Sequence, residues 1–200
     1  MQASTVVLSE HWSDIFSEYF EGVRSIQNPI SPTLQCSMAV RDTEHLLLLG
    51  RNDSVKGHQF AIAVAKALRE RRPGVRLSLT GISHSTETWA DSLGWVSEEE
   101  KNRLLQSASI LLVPSLFEGQ PLVVIEALAS GLPVLVSDSV HSIPDLVTHA
   151  RSQDVDDWVE KLDVILDRKT NPVALSESVS NHRIDTVKDQ WHSLYDGLSG

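Results

Sequence analysis

Two hundred residues with 41% apolar and 22% charged side chains form an ordinary globular composition, which excludes disorder, collagen and coiled coil as the main architecture. The 17 basic and 27 acidic residues give a net charge of −10, which repels phosphate backbones and argues against nucleic acid or an anionic membrane surface as a general partner. The apolar runs, such as those at 46–49 and 110–113, fall far short of the roughly 20 residues of a membrane-spanning helix.

The opening MQASTVVLSEHW has neither a basic start nor a long apolar stretch and predicts no secretory leader. The single cysteine, Cys36, can form no internal disulfide, so the expected compartment is the reducing cytoplasm, where the Asn52-Asp53-Ser54 sequon stays unused. In chain order, 6–8 reads as a short strand, 10–20 as a helix and 23–26 as a second short strand. Asn28-Pro29-Ile30-Ser31-Pro32 follows. Its two prolines fix φ and remove donors, so a stiff connector and a boundary near residue 33 are expected.

The run 46–49, ending at Gly50, predicts a buried strand. Phe60, Val64, Ala67 and Leu68 stripe a helix over 56–71, stopped by Pro73-Gly74. Val75, Leu77 and Leu79 alternate as a strand up to Gly81. Ser97-Glu98-Glu99-Glu100 is a capping box that opens a helix to about Ser107. A third strand is expected at 110–113. Pro121 takes the expected first position of a helix that runs over 122–130 and is ended by Gly131. A fourth strand follows at 134–136. Val155, Trp158, Val159, Leu162 and Ile165 stripe a helix over 154–169, and Val187, Trp191, Leu194 and Leu198 another over 186–198. Apolar strands alternating with helices imply an α/β fold with a parallel sheet covered on both faces.

Two stretches carry candidate chemistry. Gly50-Arg51-Asn52-Asp53-Ser54-Val55-Lys56-Gly57 joins a strand end to a helix start, and Arg51 and Lys56 place two cations five residues apart. That arrangement suits a diphosphate clamp, and it equally suits a capped turn with two solvated cations. It lacks the Lys-Ser/Thr ending of a P-loop. In the stretch 114–127, Glu118 lies in a turn and Glu126 eight residues on, within an apolar helix. Both carboxylates can point to one side, a little over two helical turns apart. Burying Glu126 without a partner is costly, so it either accepts bonds from a ligand such as sugar hydroxyls or snorkels to solvent. The Asp154-Val155-Asp156 triplet reads as a helix cap rather than a metal motif. The eight histidines show no zinc spacing, and no serine-hydrolase elbow occurs. The five tryptophans, Trp12, Trp89, Trp95, Trp158 and Trp191, read as core or surface packing rather than a sugar-stacking array, with Trp95 the one to watch.

The glutamate pair inside FEGQPLVVIEALASGLPVLVSD resembles the signature of retaining GT-B glycosyltransferases, more narrowly of glycosyltransferase family 4. LLLLGRNDSVKG, LSLTG, LGWVSEEEKNRLLQSASILLVPS and HRIDTVKDQWHSLYDGL are similar to further parts of that family, so the likeness spans about 44–200. The resemblance implies a Rossmann-like doubly wound parallel sheet, the C-terminal half of a GT-B fold, over 34–200. It also implies that 1–33 is a remnant of the acceptor domain with its hinge. By the same resemblance, Arg51 and Lys56 would hold the diphosphate of a UDP-, GDP- or ADP-hexose without a metal ion, and Glu118 would face the hexose. Gly50, Gly119, Gln120, Pro121 and Leu122 would line the donor, and Glu126 would bind the ribose. Sugar would pass with retention to a glycan, lipid or small-molecule acceptor.

The chain departs from the pattern in two ways. It is about half the length of a complete enzyme of that kind, so the isolated chain is expected to be inactive or slow. Gly94 also follows Gly81 by only 13 positions, where the family has a longer loop and helix. Besides a donor half that pairs with a separate acceptor chain, a non-catalytic nucleotide-sugar module and a regulatory subunit with a vestigial pocket fit the same residues. A nucleotide-sugar epimerase shares the fold, but the glutamate spacing favours the transferase.

Overall fold

The computed structural model describes residues 5–198, with the Leu198 side chain outside the described residues. The chain opens with β1 (Thr5–Val7), α1 (Glu10–Ser17) and β2 (Val23–Ser25). The two strands pair in parallel, Thr5 opposite Val23, as a sheet of their own. Residues 26–44 contain no helix or strand and lead into β3 (His45–Leu48). Then follow α2 (His58–Arg69), β4 (Arg76–Thr80), β5 (Ala90–Gly94), α3 (Glu98–Ser107), β6 (Ile110–Val113), α4 (Leu122–Ala129), β7 (Val134–Ser137), β8 (Thr148–Ala150), α5 (Val155–Asp167), α6 (Pro172–Glu177) and α7 (Ile184–Leu198).

The six later strands form one parallel sheet in the order β5-β4-β3-β6-β7-β8. Counted from β3, this is the 3-2-1-4-5-6 order of the Rossmann fold. Period-two alternation divides the strand side chains between two faces. Leu46, Leu48, Leu77, Leu79, Ile110 and Leu112 pack with Ala61, Val64 and Leu68 of α2 and Trp158 and Leu162 of α5. Leu47, Leu49, Leu111, Val113, Val134 and Val136 pack with Leu104 and Leu105 of α3 and Val124 and Leu128 of α4. Both faces are therefore covered, as the apolar strands predict.

Local signals fix the helix ends. Ser97 Oγ accepts from the Glu100 amide and Asp154 from the Asp157 amide, so Asp154 is a cap. Gly131, with φ of 73°, follows α4. Its amide bonds the Leu128 carbonyl and that of Leu132 the Ala127 carbonyl, the paired bonds of a Schellman end.

Four expectations are corrected. The helix expected over 56–71 is a 3-10 turn, Ser54–Lys56, then Gly57 in the left-handed region, then α2. Pro121 is the extended N-cap of α4, with ψ of 103°, and the helix begins at Leu122. The first helix stops at Ser17 rather than 20. β5, β8 and α6 are additional elements.

No helix joins β4 to β5. The connection 81–89 crosses the α2 face, and Trp89 closes it, packed against that core with the Arg69 guanidinium 5.2 Å from its ring centroid. Helix α7 returns to the start of the chain: its Val187 and Leu194 bury Ile26, flanked by Val6 and Trp191.

Candidate functional site

Strand order reverses between β3 and β6, and in open α/β sheets that carboxyl-end crevice receives ligands. Two loops meet there. After β3, the Gly50 amide donates to Thr80 Oγ1 at 2.9 Å. Asp53 caps the 3-10 turn by accepting from the Val55 amide at 3.0 Å. That bond and the nearby Arg51 hold the Asp53 carboxyl below the usual carboxylate range. Gly57, φ 72°, lets the turn approach the loop after β6: a Cβ there would lie 2.7 Å from the Pro114 carbonyl oxygen. The Leu116 amide donates to the Val55 carbonyl at 2.9 Å and joins the loops.

At that junction Lys56 Nζ meets Glu118 Oε1 at 2.6 Å, and Ser115 Oγ donates to the same oxygen at 2.7 Å. The Lys56 and Glu118 side chains are 25% and 12% exposed, so the pair is half-sheltered. Residues 62 apart in sequence thus form one cluster. Arg51 stands on the same loop but is turned outward, 69% exposed and 3.3 Å from Asp53. It offers a cation to the crevice mouth rather than to Glu118.

Glu126 does not join Glu118. It pairs with Lys101 of α3 at 2.8 Å, and Lys101 also reaches Glu98 at 2.9 Å. Burial lowers the Lys101 pKa, but the bonds to Glu126 and Glu98 outweigh it and raise the pKa overall. The burial cost foreseen for Glu126 is therefore met within the protein. The site holds two separate carboxylate–ammonium pairs rather than one carboxylate cluster.

Gln120, only 9% exposed, is committed structurally: its Nε2 donates to the Leu8 carbonyl at 2.6 Å and its Oε1 accepts from the Asn28 amide at 3.0 Å. The Gly119 carbonyl accepts from Trp12 Nε1 at 2.7 Å. Pro121 leaves α4 without a side-chain cap; the Val124 amide bonds the Pro121 carbonyl at 3.0 Å, so the Leu122 and Val123 amides present the positive end of the helix, and Leu122 itself is 47% exposed. Ser115, Lys101 and Trp12 are participants that sequence reasoning missed. Ser115, three residues before Glu118, was within reach of a spacing argument; the other two are joined only by the fold. A cavity of about 360 Å³ lined by Ile30, Leu34, Cys36, Val179 and Arg183 lies away from this cluster. Among the described residues no group of three or more His, Cys, Asp or Glu side chains is placed to hold a metal ion. No helix among them is long and apolar enough to cross a membrane.

A family model described as Glycosyl transferases group 1 matches residues 43–168. An uncharacterized glycosyltransferase of Haemophilus influenzae is 24% identical over 94% of this chain and 60% of its own length. A D-inositol 3-phosphate glycosyltransferase of Corynebacterium aurimucosum is 28% identical over 70% of this chain and 39% of its own. The chain thus spans less than two thirds of these relatives. Among solved structures, sucrose-phosphate synthase from Thermosynechococcus elongatus superposes with a TM-score of 0.80 at 20% identity, over 96% of this chain and 57% of that one. A TarM variant from S. aureus, in complex with fondaparinux, alpha-GlcNAc-glycerol and UDP, gives 0.82 at 16% identity, over 96% and 43%. These likenesses show the fold: a Rossmann-like α/β unit of the GT-B type.

Proposed function

Because the chain belongs to the glycosyl transferases group 1 family, we propose that it is the donor half of a retaining, family 4-type glycosyltransferase that binds a nucleotide-activated sugar. The observation that carries this reading is the Lys56–Glu118–Ser115 cluster at the reversal of strand order. Residues 34–200 form the donor domain in this reading, and 1–33 an acceptor-domain remnant with its hinge. The acceptor side comes from a further polypeptide segment or chain, and the place of work is the cytoplasm.

Arg51 and Lys56 bind the diphosphate. As the glycosidic bond to the diphosphate oxygen breaks, they stabilise the charge that develops on it, the largest contribution the chain can make to an oxocarbenium-like transition state. With two cations for that task, no metal is required of the chain. Glu118, already oriented by Lys56 and Ser115, accepts from the hexose hydroxyls. The amides of Gly119 and Leu122 lie beside Glu118 and can approach sugar or phosphate oxygens. Glu126 receives the ribose at the edge of its pair with Lys101.

Calorimetric titration with UDP, GDP and ADP, each free and as its hexose conjugate, tests the reading. One nucleotide is expected to saturate the chain and to bind more tightly with its sugar. Lys56→Ala and Arg51→Ala are expected to weaken diphosphate binding roughly tenfold while sparing nucleoside binding. The absence of saturable binding by every nucleotide would falsify the assignment. Unchanged affinity in both variants would move the phosphate site elsewhere.

A further inference from the structure

The backbone that carries Glu118 is gripped on both sides by the start of the chain. One residue before it, the Phe117 ring packs edge to face on Trp12, centroids 6.2 Å apart. One residue after it, the Gly119 carbonyl accepts from Trp12 Nε1 at 2.7 Å. Two residues after it, the Gln120 amide bridges the Leu8 carbonyl at 2.6 Å and the Asn28 amide at 3.0 Å. A Cβ on Gly119 would meet no atom within 4 Å, and Phe117 is 62% exposed. Lys56 and Ser115 fix the Glu118 carboxylate, but the peptide planes beside it are set by residues more than 90 positions away in sequence.

The grip originates in a unit with its own supports. Ser9 caps α1 by accepting from the Trp12 amide at 3.3 Å, and its hydroxyl lies 2.7 Å from that of Ser142 in the loop after β7. Helix α7 buries Ile26 behind β2. Trp12 therefore projects from an anchored helix. Displacement of that helix would withdraw the hydrogen bond on Gly119 and the ring on Phe117 together.

We infer that Trp12 and Gln120 are positioning residues: they hold the Glu118 turn in register with the sugar of the donor, so that sugar recognition depends on docking of β1–α1–β2 against the α4 entrance. The inference rests on the donor-site reading and adds a dependence that reading does not contain. Recognition of the nucleotide rests mainly on Arg51, Lys56 and Glu126, which the grip does not touch directly. Recognition of the hexose, through Glu118 and the adjoining amides, rests on the gripped turn itself.

The test uses the full chain and two variants. Trp12→Phe keeps a ring against Phe117 and removes the N–H; Gln120→Leu keeps the bulk and removes both amide bonds. Titration with UDP, GDP and ADP, and with UDP-glucose, GDP-glucose and ADP-glucose, gives for each protein the ratio of diphosphate to conjugate dissociation constants. Melting temperatures establish that each variant is folded. In each folded variant the diphosphate constant is expected to stay within about twofold and the ratio to fall by about tenfold, the scale of a lost hydrogen bond or two. The two substitutions break different bonds, so failure of one to fold leaves the other decisive. If the unmodified chain binds no diphosphate, the donor-site reading falls and the positioning role with it. If it binds a diphosphate but gains nothing from the sugar, or if the variants lose diphosphate and conjugate affinity equally or neither, the positioning role alone is overturned.

Discussion

Gly57 and Gly119 stand in the two loops that meet at the crevice, and they differ in what a methyl group would encounter. At Gly57 it would lie 2.7 Å from the Pro114 carbonyl oxygen, on a backbone with φ of 72°. Gly57→Ala is expected to cost about 2 kcal/mol and to separate Lys56 from Glu118. Gly119→Ala, with no neighbour within 4 Å, is expected to change stability by at most about 0.5 kcal/mol. Urea midpoints of the two variants check the contrast. The Lys101–Glu126 pair gives a second asymmetry. Lys101→Ala leaves a sheltered carboxylate alone and is expected to cost about 1–2 kcal/mol. Glu126→Ala leaves Lys101 its bond to Glu98 and is expected to cost less than about 1 kcal/mol. Comparison of urea unfolding curves for the two variants decides the order. Sequence alone could flag Glu126 as an acid among apolar neighbours, but not its partner. Lys101 lies 25 residues back, and only the packing of α3 beside α4 brings its ammonium to the carboxylate.

Elements were legible where one signal dominated. The apolar runs of β3, β6 and β7 and the caps of α3 and α5 stand in the sequence as they stand in the fold. β5 did not, because Ala90-Asp91-Ser92-Leu93-Gly94 is an edge strand and owes its geometry to pairing with Leu77 and Leu79 rather than to its own composition. β8, three residues at the opposite edge, escaped for the same reason. α6 had a readable start: Asn171 accepts from the Val173 and Ala174 amides, and Pro172 takes the first turn. Its six residues were too few to show a period.

The join between β4 and β5 is short for a parallel crossover, which ordinarily takes a dozen residues or more. Residues 81–89 suffice because an extended segment of that length reaches roughly 30 Å. A five-residue strand rises only about 16 Å. With no helix of its own in this connection, Trp89 under Arg69 of α2 extends the cover of α2 toward the edge of the sheet. Trp89→Ala is expected to destabilise by about 2 kcal/mol, measured by urea unfolding, and to raise amide exchange in β4 and β5 before the rest of the sheet.

At the scale of the molecule, His182 stands between the parts. It is 5% exposed, its Nδ1 bonds the Asn28 carbonyl at 2.9 Å, and burial lowers its pKa against the opposing pull of that carbonyl. A histidine whose folded pKa lies below its unfolded value of about 6.5 contributes stability that is intact above that value. The stability is lost as pH falls from there through the folded pKa. His45, also lowered by burial and by Arg76, acts in the same direction. Urea midpoints are expected to be level between pH 8 and 7 and to fall between about pH 6.5 and 5. His182→Asn is expected to flatten, without abolishing, that fall.

The same histidine has a mechanical consequence. The chain passes between the β1–α1–β2 unit and the six-stranded sheet twice, at 26–30 going out and at 182–187 coming back. The passages are not independent, since the Ile30 amide donates to the His182 carbonyl at 2.8 Å while the His182 ring holds Asn28. Two separate tethers would allow one body to slide along the other or twist against it. Two tethers bonded at a shared point act as a single pivot. A swing of the unit about Asn28 and His182 would move Trp12 relative to Gly119, and the Ser9–Ser142 contact and the Gln120–Leu8 bond oppose it.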